Sequence, residues 1–159
     1  MPLVHNSRVQ PEWIDYNGHM SEAFYVLIFG HATDAFLDAI GLDAETRSQA
    51  KVSAYTVEAH IRYVREVQEG EAVEVQTQLV GHDAKRAHLF HTMARAADGT
   101  VVATEEILVL HVDTQAGGTA PFQPVAANAL EQLQKRHDRL PRPQDVARAI
   151  TMPSRSVTG

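Results

Sequence analysis

The stretch DYNGHMSEAFYVLIF, residues 15–29, joins a polar turn to the most apolar segment of the chain. The segment after Ser21 is apolar on almost every side and Gly41 provides a stop, so the sequence predicts a helix of about 20 residues that is buried on several sides. A carboxylate at Asp15 and an imidazole at His19 stand directly before this helix. Such a turn is either an ordinary helix start or a catalytic site, in which the carboxylate lies beside the free amides of the helix.

Beyond the helix, the apolar residues change from a helical spacing to the period of two that is typical of β-strands. Strands are predicted at residues 53–63, 72–80, 85–97 and 100–113, after a first strand at 3–10 and a short helix at 43–50. Short turns such as Asp98-Gly99 favour an antiparallel meander of the later strands, because parallel neighbours need long crossovers. The predicted fold class is α+β, with an antiparallel sheet wrapped around the long central helix.

The strand at residues 53–63 is predicted to have one apolar and one polar face. The apolar face would carry Tyr55, Val57, Ala59, Ile61 and Tyr63. The polar face would carry Thr56, Glu58, His60 and Arg62. Val64 breaks this alternation, so a β-bulge is expected near Tyr63-Val64.

The 159 residues are enough for a single domain with one core. We expect this domain to span residues 1–140, with a C-terminal helix at 125–137, and a loose tail to follow at 141–159. The formal net charge of −6 argues against a nucleic-acid surface. The absence of cysteine excludes disulfides and thiolate catalysis. The nine histidines have no spacing typical of metal ligands, so neither a metal nor another cofactor is expected.

The beginning of the sequence, MPLVHNSRVQ, lacks the features of a secretory signal. No apolar run approaches the roughly 20 residues that a membrane span requires. These observations predict a cytoplasmic protein without a membrane partner.

The order of a strand, a D-x-x-G-H turn, a buried helix and an antiparallel meander resembles the hotdog fold, in particular its acyl-CoA thioesterase branch related to 4-hydroxybenzoyl-CoA thioesterase. The resemblance covers residues 3 to about 113, and DYNGHM followed by Tyr25 matches the D-x-x-G-H-V-x-x-x-x-Y pattern of that branch. Longer segments, among them YTVEAHIRYVREV, GHDAKRAHLFH and ATEEILVLHVD, are similar to the betainyl-CoA thioesterases found with carnitine degradation. One departure is Ser21-Glu22, where the branch often has two asparagines.

The resemblance implies an acyl-CoA thioester hydrolase in which Asp15 is the nucleophile or the general base toward water. The amides at the helix start would stabilise the oxyanion, and the candidates are those of Met20, Ser21 and Glu22. His19 would orient Asp15 or polarise the carbonyl, and Asn17 is a candidate catalytic group or a turn former. From the residues alone, Asp15 could equally satisfy turn amides, and His19 could be structural.

A betainyl group carries a trimethylammonium cation, which has no hydrogen to donate and is bound by aromatic faces and carboxylates. The candidates for this acyl group are Trp13, Tyr16, Tyr25, Glu58 and His60. Candidates for the phosphates of CoA are Arg62, Lys85 and Arg86, with Arg65 in addition. Aromatic residues that flank a turn more often belong to the core, and solvated or ion-paired positions explain such charges.

The resemblance further implies a homodimer or a dimer of dimers, with a sheet that continues across the two-fold axis and sites between the subunits. Two other functions stay open at this point. One is a hotdog enoyl-CoA hydratase or dehydratase, and the other is a module that binds CoA or acyl-CoA without turnover.

Overall fold

The computed structural model describes residues 1–153, which form one sheet and three α-helices. In chain order the elements are β1 (Leu3–Arg8), a 3-10 turn (Pro11–Trp13), α1 (Glu22–Ala39), α2 (Ala44–Ala50), β2 (Val52–Tyr63), β3 (Ala72–His82), β4 (Arg86–Arg95), β5 (Val101–Asp113), β6 (Gly118–Thr119) and α3 (Pro124–His137). Each predicted helix and strand is present, with ends that differ by a few residues.

The sheet is antiparallel and has the strand order β1-β3-β4-β5-β2, with β6 added at the end of β5. Of the four strands predicted to form a meander, β2 to β5, only β3, β4 and β5 are consecutive neighbours, so that prediction is wrong. β2 pairs with β5 and not with β3, because residues 64–71, which connect β2 to β3, do not form a tight turn. They cross the end of the sheet instead, where the Met20 N–H donates to the Val67 carbonyl at 2.8 Å.

The central helix α1 packs its apolar residues on the concave side of the sheet. Its buried residues are Tyr25, Ile28, Phe29, Ala32, Phe36 and Leu37. They belong to two core clusters, one toward each end of the helix. Each large apolar side chain buried in this way contributes about 1.5–3 kcal/mol. The helix is therefore fixed along its length, and its first turn has a defined position relative to the sheet.

The pairing of β2 with β5 shifts register between Thr56 and Glu58, so that Val57 is an extra residue on β2. Ala59, Ile61 and Tyr63 share the concave face as predicted, because they pair with buried residues of β5. Tyr55 lies on the opposite face, so its predicted face is wrong. The extra residue Val57 reverses the alternation of faces for the residues that precede it. Near the bulge predicted at Tyr63-Val64, the N–H groups of Val64 and Arg65 both donate to the Val102 carbonyl, at 2.8 and 3.0 Å.

Helix α3 packs against β3, where the buried His137 accepts a hydrogen bond through Nδ1 from the Leu79 N–H at 2.8 Å. In the segment that follows, Asp145 pairs with Arg62, and the Ala147 N–H donates to the Glu106 carboxylate at 2.8 Å. These contacts tie part of that segment to the convex face of the sheet. The domain boundary at residue 140 stays a prediction, and residues 154–159 of the predicted tail lie outside the described residues.

Between residues 1 and 153, no single helix has both the length and the apolar composition needed to cross a membrane. Only α1 and α2 taken together, with a bend of 67° between them, reach that length and composition.

Candidate active site

The turn at residues 15–20 is closed by its own backbone. The Asp15 N–H donates to the His19 carbonyl at 3.1 Å, and the Gly18 N–H donates to the Asp15 carbonyl at 3.0 Å. Gly18 has a φ of 83°, a left-handed conformation that glycine adopts without steric cost. This geometry explains why a glycine stands between the carboxylate and the histidine.

Only one carboxylate oxygen of Asp15 is hydrogen-bonded within the turn. Its Oδ1 atom accepts a hydrogen bond from the Asn17 N–H at 2.8 Å, as expected for an aspartate in a turn. Its Oδ2 atom makes no hydrogen bond or ion pair with the residues that the structure describes. The carboxylate is thus held in place by one oxygen, and the other oxygen is available at the surface of a cleft.

The three backbone amides predicted as oxyanion donors differ in their hydrogen bonds at the start of α1. The Met20 N–H is bonded to the Val67 carbonyl, and the Ser21 N–H is bonded to the Trp13 carbonyl at 2.9 Å. Both assignments are therefore wrong, because a donor already paired with a carbonyl cannot serve an oxyanion. The Glu22 and Ala23 amides open the helix and have no acceptor among residues 1–153. Glu22 is the predicted donor that stays free.

An open cleft of about 860 Å³ is lined by both Asp15 and Glu22. One wall is the turn with the first residues of α1, and the other is the segment that follows β2, together with a side chain from the end of β4. The lining residues are Asp15, Tyr16, Asn17, His19, Met20, Ser21, Glu22, Tyr25, Tyr63, Val64, Arg65, Glu66 and Arg95. The crossover of residues 64–71 is what closes this cleft, so the pairing of β2 with β5 builds the site.

Two tyrosines form a corner of the cleft. The rings of Tyr25 and Tyr63 meet edge to face, with centroids 5.3 Å apart and planes at 87°. Tyr25 is buried and its hydroxyl donates to the Arg65 carbonyl at 3.1 Å, whereas Tyr63 is 46% exposed. The Nε2 atom of His19 lies 3.7 Å from the Glu66 carboxylate. His19 therefore faces Glu66 across the cleft, and its predicted roles toward Asp15 or a carbonyl stay predictions.

Three of the residues predicted for the acyl group lie elsewhere in the structure. Trp13 stacks on Phe24, with ring centroids 5.4 Å apart, and belongs to the core packing outside the cleft. Glu58 and His60 line a second cleft of about 520 Å³, beside the convex-face residues His88 and Glu106. Within one chain these assignments are wrong, because β2 directs Glu58 and His60 away from the face that carries Tyr63. Tyr16, which is 98% exposed, and Tyr25 do line the cleft.

The predicted phosphate-binding residues are also outside the cleft of the same chain. Arg62 is paired with Asp145, and Arg86 is paired with Asp83 at 2.6 Å. Lys85 and Arg86 lie at the far end of β5, since Arg86 pairs with Leu110 and Tyr63 pairs with Ala103. At about 3.3 Å per residue this is a separation of roughly 23 Å along the sheet. Only a partner subunit could bring Lys85 or Arg86 to this cleft.

Three further residues line the cleft that were not predicted as site residues: Tyr63, Glu66 and Arg95. Arg95 donates to the Glu66 carbonyl at 2.6 Å and pairs with Glu71 at 3.1 Å, so it fixes the far wall of the cleft. The break in alternation at Val64 was the one signal for this wall, because it marks where β2 leaves the sheet.

No group of three or more histidine, aspartate or glutamate side chains in the described part of the chain is arranged to hold a metal ion. The cleft itself is lined by a carboxylate-bearing turn, the start of a helix and aromatic side chains.

Comparison with known proteins identifies the family. Residues 9–130 match the model of the Thioesterase-like superfamily. The chain is 42% identical over 150 residues to a betainyl-CoA thioesterase of Pseudomonas aeruginosa, with 94% of each chain covered. It is 48% identical over 130 residues to an L-carnitine dehydrogenase/betainyl-CoA thioesterase of Agrobacterium fabrum, of which the match covers 26%.

Two solved structures have the same fold over nearly the whole chain. A hypothetical protein of Staphylococcus aureus in complex with CoA has a TM-score of 0.90 and 26% identity, with 96% of each chain covered. A putative thioesterase of Pseudomonas putida has a TM-score of 0.83 and 43% identity, with 97% of this chain and 99% of that chain covered. The chain therefore belongs to the Thioesterase-like superfamily and is a hotdog-fold hydrolase of acyl-CoA thioesters.

Proposed function

We propose that this enzyme hydrolyses betainyl-CoA to glycine betaine and CoA, with Asp15 as the catalytic carboxylate. The observation that carries the proposal is that Asp15 and Glu22 line one cleft. Among the described residues, one carboxylate oxygen of Asp15 and the amide of Glu22 have no hydrogen-bond partner. The similarity to betainyl-CoA thioesterases over 94% of the chain supports the choice of acyl group.

The Glu22 N–H is the donor that would hold the thioester oxygen. Attack on the carbonyl carbon places negative charge on that oxygen, and a preorganised amide at a helix start stabilises it, aided by the helix dipole. Removal of one such donor typically costs about 100-fold or more in turnover. Glu22 belongs to the first turn of an 18-residue helix whose core contacts fix its position.

Asp15 can act in two ways, and both consume one water and release a carboxylate and a thiol. As a nucleophile, its oxygen would expel the CoA thiolate and form an acyl-aspartate anhydride, which water then cleaves. As a general base, it would take a proton from water, and the water oxygen would attack the carbonyl carbon directly. Label found in Asp15 after a single turnover in ¹⁸O water would identify the nucleophilic route, because water that cleaves the anhydride at the aspartyl carbon leaves its oxygen there.

Release of free thiol from a panel of acyl-CoAs tests the function. The panel contains betainyl-CoA, acetyl-CoA and an enoyl-CoA, and we expect thiol release to be fastest with betainyl-CoA. Asp15→Asn should lower turnover by at least about 100-fold, as expected for loss of a general base or nucleophile.

Asp98→Asn is the matched control for Asp15→Asn. The Oδ1 atom of Asp98 accepts the amide two residues later, that of Thr100, at 2.9 Å, as Oδ1 of Asp15 does with Asn17. Asp98 lies in the hairpin between β4 and β5, outside the cleft. Wild-type turnover in Asp15→Asn would remove Asp15 from the mechanism. Equal losses in both variants would attribute the effect to turn stability.

The same panel separates the two other functions. Hydration of the enoyl-CoA without thiol release would identify a hydratase. Saturable binding of CoA in a calorimeter without hydrolysis of any thioester would identify a binding module.

The proposal includes a homodimer in which two β2 strands pair across a two-fold axis. β2 is an edge strand of 12 residues, and Tyr55 and Val57 on it are each 53% exposed. Such an edge tends to pair with another copy. Lys85 or Arg86 of a second subunit would then be candidates for the CoA phosphates, beside Arg65 of the first. We place this reaction in the cytoplasm and require no cofactor for it.

A further inference from the structure

We propose that Glu66 and the face of Tyr63 form the subsite that selects a cationic acyl group, with Tyr25 as the ring that positions Tyr63. This inference rests on the proposed function, because it assigns the recognition of the acyl group within the same cleft. It differs from the sequence prediction, which drew on Trp13, Glu58 and His60.

The accessible aromatic face comes from Tyr63. Tyr25 is 3% exposed, and its hydroxyl is held by the Arg65 carbonyl, so this ring is fixed. Tyr63 meets it edge to face and is about half exposed on the cleft side. A quaternary ammonium group packs against an aromatic face without needing a hydrogen-bond acceptor.

Carboxylates lie beside both rings. Burial raises the pKa of Tyr25. A backbone hydrogen bond and the positive charge of Arg95 lower it, and the negative charge of Glu66 raises it. Burial also raises the pKa of Tyr63, and the charge of Glu22 adds to this effect. A cation at the tyrosine corner would therefore lie in the field of two carboxylates. Glu66 is the more suitable partner, since its side chain is 62% exposed and its closest ionic partner is His19, at 3.7 Å.

Arg95 is the basic residue of the cleft whose positive charge acts at this corner, where it lowers the pKa of Tyr25. The guanidinium of Arg95 is occupied by the Glu71 carboxylate and the Glu66 carbonyl. Arg65 forms no ion pair with the part of the chain that the structure describes, and we assign it to a phosphate of CoA. The cleft thus offers carboxylates to the acyl end of the substrate and a free arginine to the nucleotide end.

A pair of substrates with one shape and two charges tests the inference. Betainyl-CoA carries a trimethylammonium group, and 3,3-dimethylbutanoyl-CoA carries a tert-butyl group in its place. The quantity to measure is the ratio of kcat/KM for the cationic substrate to that for the neutral one. Glu66→Gln should lower this ratio about five- to tenfold, mainly through KM of the cationic substrate.

Matched variants separate local recognition from general effects. Glu69→Gln removes the same charge three residues away, from an exposed position outside the cleft, and should leave the ratio within about twofold of wild type. Tyr63→Phe keeps the aromatic face and should also retain the ratio, whereas Tyr63→Leu should lower it about fivefold or more. This second pair tests the subsite even if Glu66→Gln does not fold.

Each outcome bears on a different claim. A ratio that is unchanged in both Glu66→Gln and Tyr63→Leu overturns the subsite and leaves the thioesterase proposal intact. Equal hydrolysis of both substrates by the wild-type enzyme overturns the selection of a cation but not the hydrolysis of thioesters. No hydrolysis of either substrate overturns the proposed function, and this inference with it.

Discussion

The Nε2 atom of His91 lies 3.8 Å from the Oε2 atom of Glu105 in the interior between α1 and the sheet. The imidazole is fully buried and has a hydroxyl partner at each nitrogen, Thr77 at 2.8 Å and Thr33 at 3.1 Å. The Thr33 hydroxyl donates to the Phe29 carbonyl, so we assign the Nε2–H tautomer, in which His91 donates to Thr33 and accepts from Thr77. This network holds His91 neutral.

The His91–Glu105 pair predicts a pH dependence of stability. Burial raises the pKa of Glu105 from 4.5 to about 7, and burial lowers the pKa of His91 from 6.5 to about 3. The folded protein keeps the Glu105 proton up to about pH 7 while the unfolded chain releases it near pH 4.5, so this group makes stability fall as pH rises through that window. His91 acts in the opposite direction between about pH 3 and 6.5, because only the unfolded chain binds its proton there.

Glu105→Gln isolates the first of these effects. We expect the free energy of unfolding of Glu105→Gln, relative to wild type, to increase by about 3 kcal/mol between pH 4.5 and pH 8. Chemical denaturation at several pH values measures this difference. The exposed Glu12→Gln should give a difference that does not change with pH. A flat difference for Glu105→Gln as well would mean that this carboxyl ionises normally in the folded protein.

Gly18→Ala tests whether the left-handed backbone conformation at residue 18 disfavours a residue with a side chain. Gly18 has a φ of 83°, and no atom lies within 4 Å of an added Cβ, so the cost is conformational and should be about 1 kcal/mol of folding stability. Gly30→Ala is the control, because Gly30 lies within α1 and also has free space around it. This variant should be more stable than wild type by about 0.5–1 kcal/mol. Thermal melts compare the two variants. Equal shifts of the same sign would contradict a special role for the backbone at residue 18.

The turn and the long helix were predictable because both depend on local sequence. Gly18 follows the carboxylate at the one spacing that closes the turn, and the apolar run after Ser21 marks a buried helix. The second wall of the cleft was not predictable in this way. It exists because β2 pairs with β5, whose paired residues lie 40 to 61 positions away in the sequence. A period of two does not say which strand is the neighbour. The extra residue Val57 was also not predictable, because it reverses which side chains of β2 face the core without any signal in the composition of the strand.

The amides at the helix start illustrate the same limit. Sequence places Met20, Ser21 and Glu22 together, and only the structure distinguishes them, since the partners of the first two are distant carbonyls at Val67 and Trp13. Local pattern thus identified the helix start, and tertiary contacts decide which of its amides keeps no acceptor among the described residues.

Tyr25→Phe tests the link between α1 and the far wall of the cleft. The variant keeps the ring and its edge-to-face contact but removes the hydrogen bond to the Arg65 carbonyl, which is worth about 1 kcal/mol. We expect a loss of that size in stability and a higher KM for acyl-CoA, because the wall that carries Arg65 and Glu66 loses an anchor. Asp98→Asn, which alters a hydrogen-bonded turn outside the cleft, should leave KM unchanged. An unchanged KM in Tyr25→Phe would mean that the crossover segment is held by its other contacts alone.

Val57→Lys tests the pairing of two β2 edges. Val57 is the extra residue of the bulge and is 53% exposed, so a lysine can be accommodated in one chain without displacing core residues. Across a two-fold axis at this edge, however, two lysines would approach each other, and like charges that face each other between strands are destabilising. Sedimentation of the wild-type protein should give twice the chain mass of 17.5 kDa, and Val57→Lys should shift the population toward 17.5 kDa. Val125→Lys, which is 73% exposed on α3, should sediment like wild type. If Val57→Lys keeps the wild-type mass, the subunits associate through another surface, and the assignment of Lys85 or Arg86 to a neighbouring cleft loses its basis.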